Sequence, residues 1–291
     1  MSISSLLYAD DLCLISDSHE RIENALNKVD NWCQLWHMSI GVDKCGYMIC
    51  NPSTYAPSAP LILNRTREII PEPQSYRYLG FDITCSLDTD HVLNARYSKA
   101  NLVCQKMMPI LSNRSIPLGL KGMLIKSLFI PSFTYGLEFC LKTQQTFVRF
   151  QRLVDKCIRV SVFGKNSPSR TSMHVLYLEL NIPPVYCIIL GNCSRMICKY
   201  PTLTTIVSDI FKLDVTPRTF LHRITLLLKK IIPSFATYTD PSSLRDDIIM
   251  ASWNRISTMH SSSRSLSFYR EHSLHDSRQI ASMYSPIHSI N

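Results

Sequence analysis

Glycine is scarce in this chain, with eight in 291 residues. That excludes collagen-like repeats, glycine-rich phosphate loops and barrels built from many tight turns, and favours a largely helical chain with one smaller sheet. No CxxC occurs. The eleven cysteines are odd in number and scattered within apolar runs such as LCLI and VYCIIL, so they read as buried thiols and not as a disulfide framework. Cys187, Cys193 and Cys198 are spaced too irregularly for a zinc knuckle. No uninterrupted apolar run approaches about 18 residues, and acidic residues come before any stretch that could serve as a signal peptide. The expectation is a soluble intracellular protein, nuclear or cytoplasmic, with no membrane partner.

Acidic side chains are nearly missing from the middle of the chain. Between residues 95 and 170 only Glu138 and Asp155 oppose thirteen bases, a balance of +11, whereas residues 1 to 50 hold seven acids against three bases, a balance of −4. A start that attracts cations followed by a basic middle suits a protein that handles a polyanion together with metal, and it also suits an ordinary basic surface. With 45% hydrophobic residues the chain can bury real cores, in one large or two smaller domains.

SLLY and LCLI, which flank Ala9, Asp10 and Asp11, are long enough for buried strands and too short for helices, which puts the two acids at a hairpin tip. Ile22, Ala25, Leu26, Val29, Cys33 and Trp36 recur at spacings of three and four, predicting an amphipathic helix over 18–36 with Asp17 or Ser18 as its N-cap. MSIGVDKCGYMIC reads as a turn leading into a strand weakened at Gly46. Five prolines make 51–75 a connection, with room for one short strand at LILN. YRYLGFDIT reads as one aromatic strand with a glycine kink.

From about 88 to 165 the period becomes helical, with segments over 91–111, from 119 to a break at Pro131, and over 143–164. On the last of these Arg149, Arg152, Lys156 and Arg159 fall in one arc, opposite Phe147, Phe150, Val154 and Ile158. That stripe is either a phosphate-contacting face or a solvated one. A later helical region at 172–232 is cut by Pro183-Pro184, Pro201 and Pro217, and the serine-rich end reads as a loosely ordered tail.

Adjacent aspartates at a tight turn offer hard oxygen ligands to a cation such as Mg²⁺, although Ala-Asp-Asp alone also reads as a polar turn. YADD between apolar strands resembles the metal-binding motif of reverse transcriptases. The amphipathic helix at 18–36, VDKCGYM at 42–48 and YRYLG at 76–80 follow in that family's order. IPLGLKGMLIKSLFIPSFTYGLEF resembles the start of the thumb in LINE-type (non-LTR) retrotransposon polymerases, and the resemblance spans roughly residues 4–180.

The resemblance implies Asp10 as principal Mg²⁺ ligand and Asp11 as its partner, with Tyr8 beside the primer terminus. It also implies Lys44 acting on the departing pyrophosphate, and Tyr78, Leu79 and Gly80 gripping the primer end. Gly41 stands where the family usually has asparagine. The implied partners are an RNA template and a DNA primer.

Two-metal phosphoryl transfer needs carboxylates from more than one strand. The family's other aspartate strand, which precedes YADD, and its finger segments have no counterpart here. The expected fold is α+β: an incomplete right-hand polymerase palm over 1–86, a helical thumb-like region over 87–180, a helical extension over 181–235 and a tail over 236–291. The expected function is a fragment of an RNA-directed DNA polymerase, inactive alone, with a polypeptide that supplies the missing N-terminal half as one possible partner. A non-catalytic nucleic-acid-binding remnant and a decayed product without activity are the alternatives.

Overall fold

The computed structural model describes residues 5–50, 59–165, 173–205, 208–209, 219–237 and 240–259. It divides into two compact units, Met1–Val92 and Leu93–Asn291. The architecture is α+β, with two small two-stranded sheets in the first unit.

The first unit opens with an antiparallel hairpin, β1 (Ser5–Tyr8) and β2 (Asp11–Leu14). It continues through α1 (His19–Leu35) and a 3-10 turn at Val42–Lys44, and closes with a second hairpin, β3 (Ser75–Tyr78) and β4 (Phe81–Thr84). Ser18 starts α1: its hydroxyl accepts from the Arg21 N–H at 3.3 Å and satisfies a donor the helix leaves open. Leu26, Leu61, Leu63 and Ile70 form the core, and Leu14, Ile22, Ile40, Val42, Cys45 and Tyr47 pack against it. Asp30, buried in α1, is ion-paired with Arg65 at 3.6 Å.

Four expectations for this unit need correction. The strands at Asp10 and Asp11 are not buried as expected: β1 is open along its whole length, with Leu7 72% accessible, because β2 is its one strand neighbour among the described residues, and β2 is half-buried only at Cys13 and Leu14. Trp36 leaves the apolar face, since α1 ends at Leu35 and Trp36 sits at the C-cap, exposed like Trp32. No strand forms over 45–50, where the Tyr47 N–H donates to the Pro71 carbonyl at 2.8 Å. YRYLGFDIT is a hairpin, with Gly80 in the turn and not at a kink. LILN contributes an isolated bridge, Ile62 to Ile69. Residues 51–58 of the connection lie outside the described residues.

The second unit is helical: α2 (Thr89–Ser112), which begins just before the division, α3 (Leu118–Leu124), α4 (Ile130–Thr134), α5 (Val148–Phe163), α6 (Met173–Leu180), α7 (Val185–Lys199), α8 (Phe220–Ile231) and α9 (Pro241–Met259). Its centre is aromatic. Phe129, Phe133, Phe147 and Phe150 are sealed from solvent, Phe133 stacks on Phe150 at 5.2 Å, and Tyr97 meets Phe150 edge-on at 5.8 Å. Each such side chain contributes roughly 1.5–3 kcal/mol by leaving water. On α5, Gln151 donates to Asp155 and to the Tyr177 hydroxyl, both at 2.8 Å, and accepts from the Val185 N–H. Tyr177 donates to the same Asp155 oxygen, so one polar cluster joins α5, α6 and α7.

Pro131 does not break the chain as expected. A π turn at Ile125–Phe129 lies between α3 and α4, and the helical path runs through Pro131, placed in the first turn of α4. The wider turn alters the bonding pattern just where proline has no N–H to give. The expected loose tail also holds a helix. Asp240 caps α9 by accepting from Ser242 and Ser243 N–H at 3.2 and 2.9 Å, Pro241 takes the first position, and Leu244 and Ile248 are fully buried. Residues 260–291 lie outside the described residues, as do 166–172 and 210–218. Among the described residues no single helix is long and apolar enough to cross a membrane; Met173–Leu180 and Val185–Thr202 pass that test only as a pair bent by 48°.

Candidate active site

The first hairpin pairs Tyr8 with Asp11 across a two-residue loop, Ala9-Asp10. Ala9 has φ of 54°, a left-handed conformation that costs an L-residue roughly 1–2 kcal/mol and that such loops usually give to glycine. Both carboxylates are exposed at this tip. Because side chains alternate along a strand, Asp11 shares a face with Tyr8 and Cys13.

The second tip repeats the device. Leu79 and Gly80 have φ of 48° and 75°, two successive positive values of the kind that match the twist of a tight hairpin. Leu79 holds this shape without glycine's freedom. Strain of this kind gathers at functional positions.

The two hairpins also affect each other's titration. Burial raises the phenol of Tyr78, and the nearby Cys13 and Asp11 raise it further. Tyr76 is raised by burial first, then by Cys45, Asp11 and Cys13. Asp11, Tyr76 and Tyr78 therefore stand close enough for the carboxylate to disfavour a second negative charge.

Tyr76 also reaches the third motif, since its hydroxyl donates to the Lys44 carbonyl at 2.5 Å and fixes the backbone of the Val42–Lys44 turn. A Cβ at Gly46 would lie 2.5 and 2.8 Å from the Tyr76 ring, so glycine there lets the ring lie flat on the chain. The Lys44 ammonium end is exposed. Sequence reasoning assigned Tyr78, Leu79 and Gly80 and missed Tyr76; its position two residues before Tyr78, on the same face, was the available signal.

Asp10 and Asp11 offer the oxygen donors that Mg²⁺ takes, and Mg²⁺ binds through one or two carboxylates while keeping water on its other positions. Among the described residues no group of three acids, histidines or cysteines could hold a metal. Two carboxylates are donors of the kind one hydrated ion takes; among the described residues no third ligand joins them, whereas a two-ion centre requires carboxylates from more than one strand.

In the second unit, α5 buries Phe150, Val154 and Ile158 and leaves Arg152 and Lys156 exposed. Arg149 is partly committed to the fold, donating to Asn94 at 2.6 Å and lying over the Tyr97 ring at 5.2 Å. Arg159 is half-buried. Two further bases counted toward the basic middle are internal: Lys121 donates to the Ser161 carbonyl at 3.1 Å, and Arg96 lies over the Tyr135 ring. The exposed basic surface is thus smaller than the count of charges implies.

A family model described as Reverse transcriptase (RNA-dependent DNA polymerase) matches residues 2–83, a span that contains both tips and Lys44 and ends within β4. No curated protein and no solved structure matches the chain significantly. The first unit is similar to reverse transcriptases, a class of templated nucleotidyltransferases.

Proposed function

We propose that residues 1–86 are part of the palm, and residues 87–180 a thumb-like region, of the RNA-directed DNA polymerase of a LINE-type (non-LTR) retrotransposon, and that this chain does not polymerise alone. The observation that carries the reading is the presence of two hairpin tips with positive φ, Tyr8-Ala9-Asp10-Asp11 and Tyr78-Leu79-Gly80-Phe81, within the matched span.

In this reading Asp10 and Asp11 hold Mg²⁺, which when bound supplies positive charge against the reacting phosphates. Tyr8 lies beside the primer terminus. Tyr78, Leu79 and Gly80 grip the primer end on the RNA template, where Gly80 leaves room for backbone to meet backbone. Lys44 neutralises charge on the departing pyrophosphate. Two-metal transfer needs carboxylates from more than one strand, so in this reading the other carboxylate comes from a segment outside residues 1–291.

Primer extension on an RNA template with Mg²⁺ tests this. The purified chain is expected to incorporate no deoxynucleotide, and a polypeptide bearing the other carboxylate strand is expected to restore incorporation that D10A/D11A abolishes. Incorporation by the chain alone, lost in D10A/D11A, overturns the fragment reading; incorporation that survives D10A/D11A overturns the assigned roles. The exposed Arg152 and Lys156 favour a second reading, in which the chain grips nucleic acid without chemistry; binding would then weaken steeply with salt.

A further inference from the structure

Cys104 on α2 and Cys157 on α5 face each other with their sulfurs 3.6 Å apart, both sealed from solvent. Fifty-three positions separate them in the chain. We propose that these two thiols are an oxidisable dithiol, which a hydroperoxide converts into a disulfide tying α2 to α5.

The surroundings favour a bridge in place. Asn94 meets Arg149, Tyr97 meets Phe150 and Cys104 meets Cys157, so residue numbers rise together along both helices and the thiols lie on one continuing seam. Ala100, wholly buried, lies between the upper and lower contacts on α2. Bonding requires the sulfurs to close to about 2.05 Å, an approach of about 1.5 Å. The two thiols are unequal. The hydrogen bond from Cys157 lowers the Cys104 thiol to about 7, with burial opposing and the Lys156 ammonium assisting, and the same bond pushes Cys157 upward. In the proposed reaction Cys104 is the attacking thiolate.

The Cys104 thiolate attacks the peroxide O–O bond, forming a sulfenic acid and releasing an alkoxide, or hydroxide from hydrogen peroxide, which takes up a proton. The Cys157 sulfur then attacks the sulfenic sulfur; the S–S bond forms, the S–O bond breaks, and hydroxide leaves as water with the proton of Cys157. Two thiols lose two electrons and two protons, and the hydroperoxide is reduced to an alcohol, or water, and water. Burial confines the reaction to small oxidants, and a partner sulfur already in contact stops oxidation at the disulfide.

The test exposes the full chain to hydrogen peroxide, alkylates it under denaturing conditions and maps its peptides by mass. The expected result is a linked pair of peptides carrying Cys104 and Cys157, lighter by two hydrogens, reversed by a dithiol reductant, and a melting midpoint raised by several degrees. Cys104→Ser is expected to leave Cys157 fully alkylatable, and Cys157→Ser to leave Cys104 without its bridge. The proposal is overturned if both thiols stay alkylatable at a peroxide dose that consumes the exposed Cys50, or if the same link forms as readily in urea. A chain whose far-ultraviolet circular dichroism lacks helix would overturn the packing on which the proposal rests.

Discussion

In residues 93–291 four phenylalanines are sealed inside a layered helical core, whereas in residues 1–92 the buried cluster is aliphatic and Leu7, Tyr8, Trp32, Leu35 and Trp36 face solvent. The second unit exposes large apolar side chains too, Leu102, Met123, Leu128 and Tyr135 among them, so what sets it apart is its sealed aromatic centre. The first holds its candidate chemistry on two short ribbons, and a two-stranded ribbon is marginal unless another element covers it. The contrast separates a region with a sealed aromatic centre from one whose first strand is open along its length.

The largest expected effect breaks the dense side of this comparison. Phe150→Ala removes a ring that meets Tyr97, Phe133 and Phe147, and it should cost about 3–5 kcal/mol, read as a lower urea midpoint for helical circular dichroism. Tyr177→Phe comes next. It takes the hydroxyl from Asp155 and Gln151 and should cost about 1–3 kcal/mol near neutral pH.

Burial and Asp155 raise the Tyr177 phenol, so the folded chain keeps its proton where the unfolded chain loses it. The stability this group contributes is complete below the ordinary tyrosine value of about 10 and is lost as pH rises above it. The variant should therefore show a shallower alkaline loss than the parent in a series of melts above that pH.

Two smaller changes probe the open side. Gly46→Ala forces a methyl group into the Tyr76 ring, whose hydroxyl is tied to Lys44; a cost of about 1–2 kcal/mol is expected, with Tyr76 resonances displaced and the helical unit unchanged. Leu79→Gly relieves the positive φ and should change stability by less than about 1 kcal/mol, in the favourable direction, on thermal melts. If primer extension later becomes measurable, that variant should lose activity while gaining stability, the signature of strain kept for function.

Much of this organisation was legible in the residues. The three-and-four spacing from Ile22 to Cys33 gave α1, the short apolar runs SLLY and LCLI gave the first hairpin, and the Phe147-to-Ile158 face gave the buried side of α5. Asp240-Pro241 was a readable start signal for α9 that went unused, because the serines around it suggested a tail.

Other features depend on partners distant in sequence. Whether a strand such as β1 is buried depends on its neighbours, which no short apolar run reveals. Arg96, Lys121 and Arg149 count as surface charge until tertiary packing shows them over rings or bonded to carbonyl and amide groups. The reach of Asp11 to Tyr76 and Tyr78 also needs the fold, since more than sixty residues separate them.

The π turn at Ile125–Phe129 bears on how the chain tolerates changes in length. A wide turn holds one residue more than the α turn it replaces, so a single deletion there can be absorbed by a return to regular helix. The same deletion within α5 would rotate every following side chain by about 100° and turn Val154 and Ile158 away from the core. One segment can lose a residue and keep its packing, and the other cannot.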